Sequence, residues 1–367
     1  MQVSAVQKEN VLRTVLRRHF LLFTIILCYA AIIWSFPARQ SGEDNIKILS
    51  GAIRNTVKMI PQIICVILIW RVFYATYVVK PANRLNWLKE DILAFLRDRE
   101  RLVAGLLAVV MITIAFATFG RGKSLIPLFN SYSWDQTFMQ ADKSLHFGFS
   151  PFEILFAFFP DKGLLNFIAY NYSFWFSVLF FVMYTTCFVR TDSAARMQFL
   201  LALVLACAIG GNLMATIFAS AGPVYYDNLG LGQTFAPLDQ LLQDRSGRAL
   251  RAVFRLQDQL WEMYTLPESF SVISAFPSMH VTTSTLMAIV AFKFRRWAGI
   301  LMTIFASLIM VGSVMLAWHY AVDGYAGVLI AVACWKASGW LIRSRIGPFA
   351  PDRPNAQATS QSSSSRA

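Results

Sequence analysis

Two of the four histidines in this chain stand in surroundings suited to chemistry. His280 closes the run Ser274-Ala275-Phe276-Pro277-Ser278-Met279-His280 and leads directly into an apolar stretch. His319 lies in Trp318-His319-Tyr320-Ala321-Val322-Asp323-Gly324, where one apolar stretch ends and the next begins. An aspartate four residues after a histidine falls on the same helix face. Asp323 can therefore accept a hydrogen bond from one ring nitrogen of His319, which fixes the tautomer and makes the other nitrogen the better nucleophile. His280, at the same depth, is placed to protonate a leaving oxygen and then to activate an incoming hydroxyl or water. Ser278 and the backbone N–H groups from Met279 onward would face anionic oxygens, because a helix N-terminus carries partial positive charge. The competing reading is a histidine pair that only satisfies hydrogen bonds at a membrane interface. Two motifs at one depth, flanking three consecutive apolar stretches, make it the weaker one.

The elements that must position these residues are membrane helices. Hydrophobic residues make up 56% of the 367, charged residues only 14%, and the mean hydropathy is +0.51, which excludes a soluble domain. A span needs about 20 mostly apolar residues, and eight stretches qualify: 19–36, 59–79, 102–119, 165–189, 198–219, 280–294, 298–318 and 320–342. The stretch 280–294 is short and is expected to draw on the residues before it. The net charge of +13 sits in alternate short segments, 1–18, 80–101, 190–197, 293–297 and 343–367. That pattern follows the positive-inside rule rather than the footprint of a nucleic-acid-binding surface. It puts both termini in the cytosol and segments 37–58, 120–164 and 220–279 outside, in a plasma or inner membrane. The five cysteines lie in apolar stretches, so neither a disulfide framework nor a zinc site is expected.

The expected fold is all-α, a polytopic helical bundle of about eight spans. Residues 1–101 supply two accessory spans and, over 83–101, an amphipathic helix along the inner surface, with a solvated linker helix the equal alternative; 102–346 form a six-span core. The Ser-rich tail, 347–367, is expected to be disordered. Arg71 and Lys336 are ionisable residues inside apolar stretches and so are functional candidates, set against pairing within the bundle for Arg71 and reaching the inner surface for Lys336.

Ala-Phe-Pro-Ser-Met-His followed by His-Tyr-x-x-Asp resembles the second and third signature motifs of the type 2 phosphatidic acid phosphatase superfamily. Within it the chain looks most like the inositol phosphorylceramide synthase branch, which is also similar to sphingomyelin synthases. The resemblance implies a metal- and cofactor-independent reaction on a phospholipid or lipid phosphate through a phosphohistidine. In it His319 is the nucleophile, Asp323 its orienting partner, His280 the acid and base, and Ser278 a phosphate ligand.

Two departures bear on the reaction. The first motif of these phosphatases carries Lys and Arg-Pro, where this chain has Ala221-Gly222-Pro223-Val224-Tyr225-Tyr226, and an Arg usually stands six residues before the nucleophile, where this chain has Ser313. Fewer phosphate-binding cations favour transfer of a phosphodiester head group over hydrolysis of a monoester such as phosphatidic acid or of a polyprenyl pyrophosphate. They also leave the charge clamp to be found. Arg245, Arg248, Arg251 and Arg255 recur on one side of a helix whose other side holds Leu250, Val253, Phe254 and Leu256. Resting on anionic head groups is the preferred reading for that stripe, and leaning over the site the alternative. Lys143 and Tyr225 complete the candidates, and the stretch Trp134 to Gly148 is either a head-group pocket or an interfacial loop anchored by aromatics. A transporter or structural protein on the same scaffold is the rival of another class; it lacks the Gly- or Pro-broken span pairs of transporter sites.

Overall fold

The computed structural model describes residues 2–37, 43–190, 193–266 and 272–344, and all the regular elements among them are helical. The expected disordered tail, 347–367, lies outside the described residues. In chain order the helices are α1 (Gln2–Ser35), α2 (Glu43–Tyr74, continued by a π turn, Ala75–Val79), α3 (Arg84–Arg97) and α4 (Arg99–Phe129). They continue with α5 (Asp135–Leu145), α6 (Pro151–Phe158), α7 (Lys162–Cys187) and α8 (Ala194–Leu205, continued by a π segment, Ala206–Met214, and Ala215–Ile217). The last five are α9 (Ala236–Asp244), α10 (Arg248–Thr265), α11 (Met279–Phe294), α12 (Arg296–Met315) and α13 (Ala321–Arg343).

Seven helices, α1, α2, α4, α7, α8, α12 and α13, are long and apolar enough to cross a bilayer, and α11 is a shorter apolar helix packed among them. The protein is a polytopic integral membrane protein. α11 packs on α12, α13 and α8, and α7 packs on α12; α1 and α2 dock on α4. Small residues let the central helices approach: a Cβ on Gly327 of α13 would sit 2.8 Å from the Ser278 carbonyl oxygen.

Three boundaries differ from those the sequence suggests, each for a local reason. α4 runs on to Phe129, ten residues past the end of its apolar stretch, so the outer segment begins at Asn130. The helix over 83–101 stops at Arg97, and Asp98 then caps α4 by accepting from the Arg101 N–H at 3.1 Å. α11 is not lengthened by the residues before it, because Ser278 has extended backbone and its hydroxyl accepts from the Val281 N–H as an N-cap. Sixteen residues rise only ~24 Å, short of the ~30 Å hydrocarbon core.

The two ionisable candidates in the apolar stretches resolve simply. Arg71 forms an ion pair with Asp91 of α3 and lies over the Trp87 ring at 4.8 Å, which pins α3 to α2. Lys336 is exposed on the outside of the bundle.

Candidate active site

His280 begins α11 and His319 lies in the turn between α12 and α13, so antiparallel packing brings the two to one end of the bundle, with ring centroids 6.1 Å apart. The turn is held by its own backbone, the His319 N–H donating to the Ser313 carbonyl at 3.0 Å. Asp323, wholly buried in the first turn of α13, has Oδ2 3.3 Å from His319 Nδ1 and accepts from the Tyr320 N–H at 3.0 Å. Nδ1 is thus assigned as the protonated nitrogen, leaving Nε2 with its lone pair. Burial first, and the nearby Lys123 charge second, lower the His319 pKa to about 3, against the Ala275 backbone, which raises it. The ring is therefore neutral at physiological pH, the form a nucleophile needs.

Helix α5, between the spans, ties the surrounding loops together. Asp135 is buried and accepts from the Ala221 and Gly222 N–H groups at 2.9 and 2.8 Å and from the Tyr320 hydroxyl at 2.9 Å. Asp142, two turns on, accepts from the Ala321 and Val322 N–H groups at 2.8 and 2.9 Å, capping the helix that carries Asp323. Burial pushes both carboxyls above the usual aspartate range, and these hydrogen bonds oppose the shift. His146 ends the helix with Nδ1 2.7 Å from the Asp142 carbonyl oxygen and Nε2 2.9 Å from the Tyr325 hydroxyl. The stretch Trp134 to Gly148 is thus a brace under the turn that carries His319. Gly222, at φ +103, runs close beneath the same turn: a Cβ there would lie 2.6 Å from the Trp318 carbonyl oxygen.

The remaining sequence candidates divide. Ser278 is fully buried and acts as N-cap, with the α11 N-terminus between it and His280. The Met279 side chain packs against Gly210 and Gly211, so only its backbone N–H is available to an anion. Tyr225 donates to the Gln257 carbonyl at 3.0 Å and stacks on Trp261, fastening α10 rather than lining the site. On α10, Leu250, Val253 and Gln257 are buried, while Arg248, Arg251 and Arg255 are exposed on the other side. Leu256, expected on the apolar side, is 46% exposed. Arg245 lies over the Phe156 ring at 5.2 Å, and Lys143 is half-buried, its carbonyl closing the turn to Gly148.

A cation that the sequence reading passed over lies near the two rings. Lys123, near the end of α4, lies within electrostatic reach of both His280 and His319, with Nζ 3.5 Å from the Ser274 carbonyl oxygen. No local pattern marks it. Its meeting with the histidines spans more than 150 residues of chain, and the available signal was the rarity of a lysine so near the end of an apolar span.

A family model described as the PAP2 superfamily matches residues 136–337, more than half of the chain, including His280, His319 and Asp323 but beginning after Lys123. It distinguishes no branch within the superfamily. No curated protein and no solved structure matches the chain.

Proposed function

The chain belongs to the PAP2 superfamily, and from that premise we propose that it transfers a phospho-head-group, of the inositol-phosphate type, from one lipid to the hydroxyl of another through a phosphohistidine on His319. The observation that carries this reading is the pairing of His319 with buried Asp323 at 3.3 Å, with a second histidine ring centred 6.1 Å away. His319 Nε2 attacks phosphorus, and as the N–P bond forms the P–O bond to the donor lipid's alcohol breaks. His280, protonated once the bound donor's negative charge offsets the burial and the Lys123 charge that favour its neutral form, gives its proton to that departing oxygen. The neutral His280 then takes the proton of the acceptor hydroxyl as the new O–P bond forms and the N–P bond breaks. Both rings return to their starting state.

Transfer is favoured over hydrolysis by charge. Lys123 is the cation, among the described residues, whose charge reaches both rings. One lysine together with the α11 N-terminus matches the single charge of a phosphodiester better than the double charge of a monoester. The charge pattern of the loops supports a site on the outer or lumenal face, with both termini in the cytosol.

The test uses the full chain in detergent with a chelator present. Labelled phosphatidylinositol plus ceramide, and separately labelled phosphatidic acid, are given to wild type and to His319→Ala. A new labelled phospholipid formed by wild type alone supports transfer. Free phosphate released from phosphatidic acid by wild type alone shifts the protein to hydrolysis, and equal turnover by both proteins removes His319 as nucleophile.

A further inference from the structure

The His280 ring receives no hydrogen bond from the described residues; it is held by aromatic faces. Tyr172 stacks on it with centroids 4.7 Å apart and planes 21° from parallel, and Trp175 lies at 4.0 Å. The two stand three residues apart on α7 and so share one helix face. Trp175 is itself fixed, its Nε1–H donating to Thr283 Oγ1 at 3.2 Å. Behind Tyr172, α12 offers Gly312: a Cβ there would lie 3.1 Å from Tyr172 Cδ2, so the glycine is what allows the ring its place.

The Tyr172 hydroxyl is the unusual group. The residue is 5% exposed, and its buried oxygen has no hydrogen-bond partner among the described residues. A buried hydroxyl left unsatisfied costs about 1–3 kcal/mol, and natural structures seldom keep one without a reason. Nothing on α7 or α12 explains it. Asp323, the partner of His319, lies within electrostatic reach of the hydroxyl.

We propose that Tyr172 is a third catalytic residue of the site, donating its O–H to a non-bridging oxygen of the phosphoryl group while His319 attacks and His280 serves the bridging oxygen. The ring and the hydroxyl then have separate tasks. With Trp175, the ring orients His280 through its face and leaves both imidazole nitrogens free for proton transfer. The hydroxyl supplies a hydrogen bond that strengthens as charge develops on the transferring group, which a neutral donor does without a proton changing hands. It supplements Lys123 where the chain lacks the arginines expected from its motifs. The proposal rests on the phosphohistidine reading of the site.

The experiment uses the full chain in detergent with whichever of phosphatidylinositol or phosphatidic acid the wild type turns over, alongside its phosphorothioate analogue. Tyr172→Phe keeps the ring and removes the hydroxyl; because that hydroxyl has no partner among the described residues, the thermal midpoint of the variant should be no lower than that of wild type. The expected result is a fall in kcat on the order of 100-fold with a smaller change in KM. The rate penalty for replacing oxygen by sulfur should also shrink, since sulfur is the poorer acceptor and the donor is already gone. Tyr172→Phe at wild-type rate, with His319→Ala inactive, overturns the proposal and leaves the reading of the site intact. A slowed Tyr172→Phe whose sulfur penalty is unchanged also overturns it, because the hydroxyl then does not touch the phosphoryl group. Full activity in His319→Ala removes the phosphohistidine reading and this proposal together.

Discussion

At the scale of the residue, the pH response of the site depends on Lys123. With the His319 pKa at about 3 in the folded protein, the acid limb of kcat/KM that belongs to the nucleophile lies far below the ordinary histidine value of about 6.5. Lys123→Met removes one of the two causes of that depression, so the limb should move toward neutral pH while kcat/KM falls, and Lys123→Arg should restore part of both. A pH–rate profile of the three proteins decides the matter; a limb that stays in place in Lys123→Met would show that the lysine does not sense the ring. The stability consequence has a definite sign. A depressed folded pKa means that the unfolded chain binds the proton first, so stability is lost as pH falls from about 6.5 toward about 3. His280, His319 and Asp323 were legible in the sequence because a histidine and an aspartate four apart declare their shared face and the Ser-Met-His run marks a helix start. Lys123 and Tyr172 were not, since each meets the histidines from another helix across more than 100 residues of chain.

At the scale of the element, the short helix α5, between the spans, sets the position of α13. Asp135 and Asp142 lie seven residues apart on one face of α5 and bind backbone N–H groups from two separate loops. Carboxylates that accept from backbone N–H groups at a helix start are worth about 1 kcal/mol or more. Asp142→Leu removes both acceptors from the α13 N-terminus and should lower the thermal midpoint by several degrees. Its kcat loss should exceed that of the exposed Arg251→Ala, because Asp323 sits in the turn that is released. Unfolding by heat and a transfer assay on the two variants check this; an Asp142→Leu protein equal to Arg251→Ala in both would deny α5 its bracing role. The spans were readable from apolar length alone, and α10 from its charge spacing. α5, α6 and α9 were not, because helices of 8 to 11 residues leave too few turns for a period to show, and what fixes them here is tertiary packing and distant backbone donors.

At the scale of the whole molecule, the first two spans are built into the core. Arg196 of α8 is wholly buried, donates to the Cys187 carbonyl at 2.8 Å from Nη2, and has Nη1 2.7 Å from His19 Nε2 on α1. His19 Nδ1 faces the Val15 carbonyl oxygen at 2.8 Å, so Nδ1 carries the hydrogen and Nε2 accepts from the arginine. Higher along the same helix, Tyr29 donates to Asn212 in the π segment of α8, beside the Gly210–Gly211 pair on which Met279 packs, and Trp34 donates to Thr118 at 3.1 Å. On α2, Thr56 joins Tyr184 of α7 at 2.6 Å and Thr113 of α4 at 3.1 Å. Lipid can replace the apolar contacts of a lost helix but not these polar ones, since hydrocarbon offers no partner. A chain beginning at Asp98 would leave Arg196, Asn212 and Tyr184 facing acyl chains. We therefore expect it to be extracted in low yield, to elute without a single symmetric peak, and to lose activity on lipid phosphates although His280, His319 and Asp323 are retained. His19→Leu is the milder version: it takes the acceptor from one guanidinium nitrogen, at a cost of about 1–3 kcal/mol, and leaves both spans in place. It should lower the thermal midpoint and keep most of the activity, separating the stabilising role of the contact from any role in catalysis. A truncated chain that is monodisperse and fully active would instead make α1 and α2 dispensable additions, as the position of the signature motifs alone suggests.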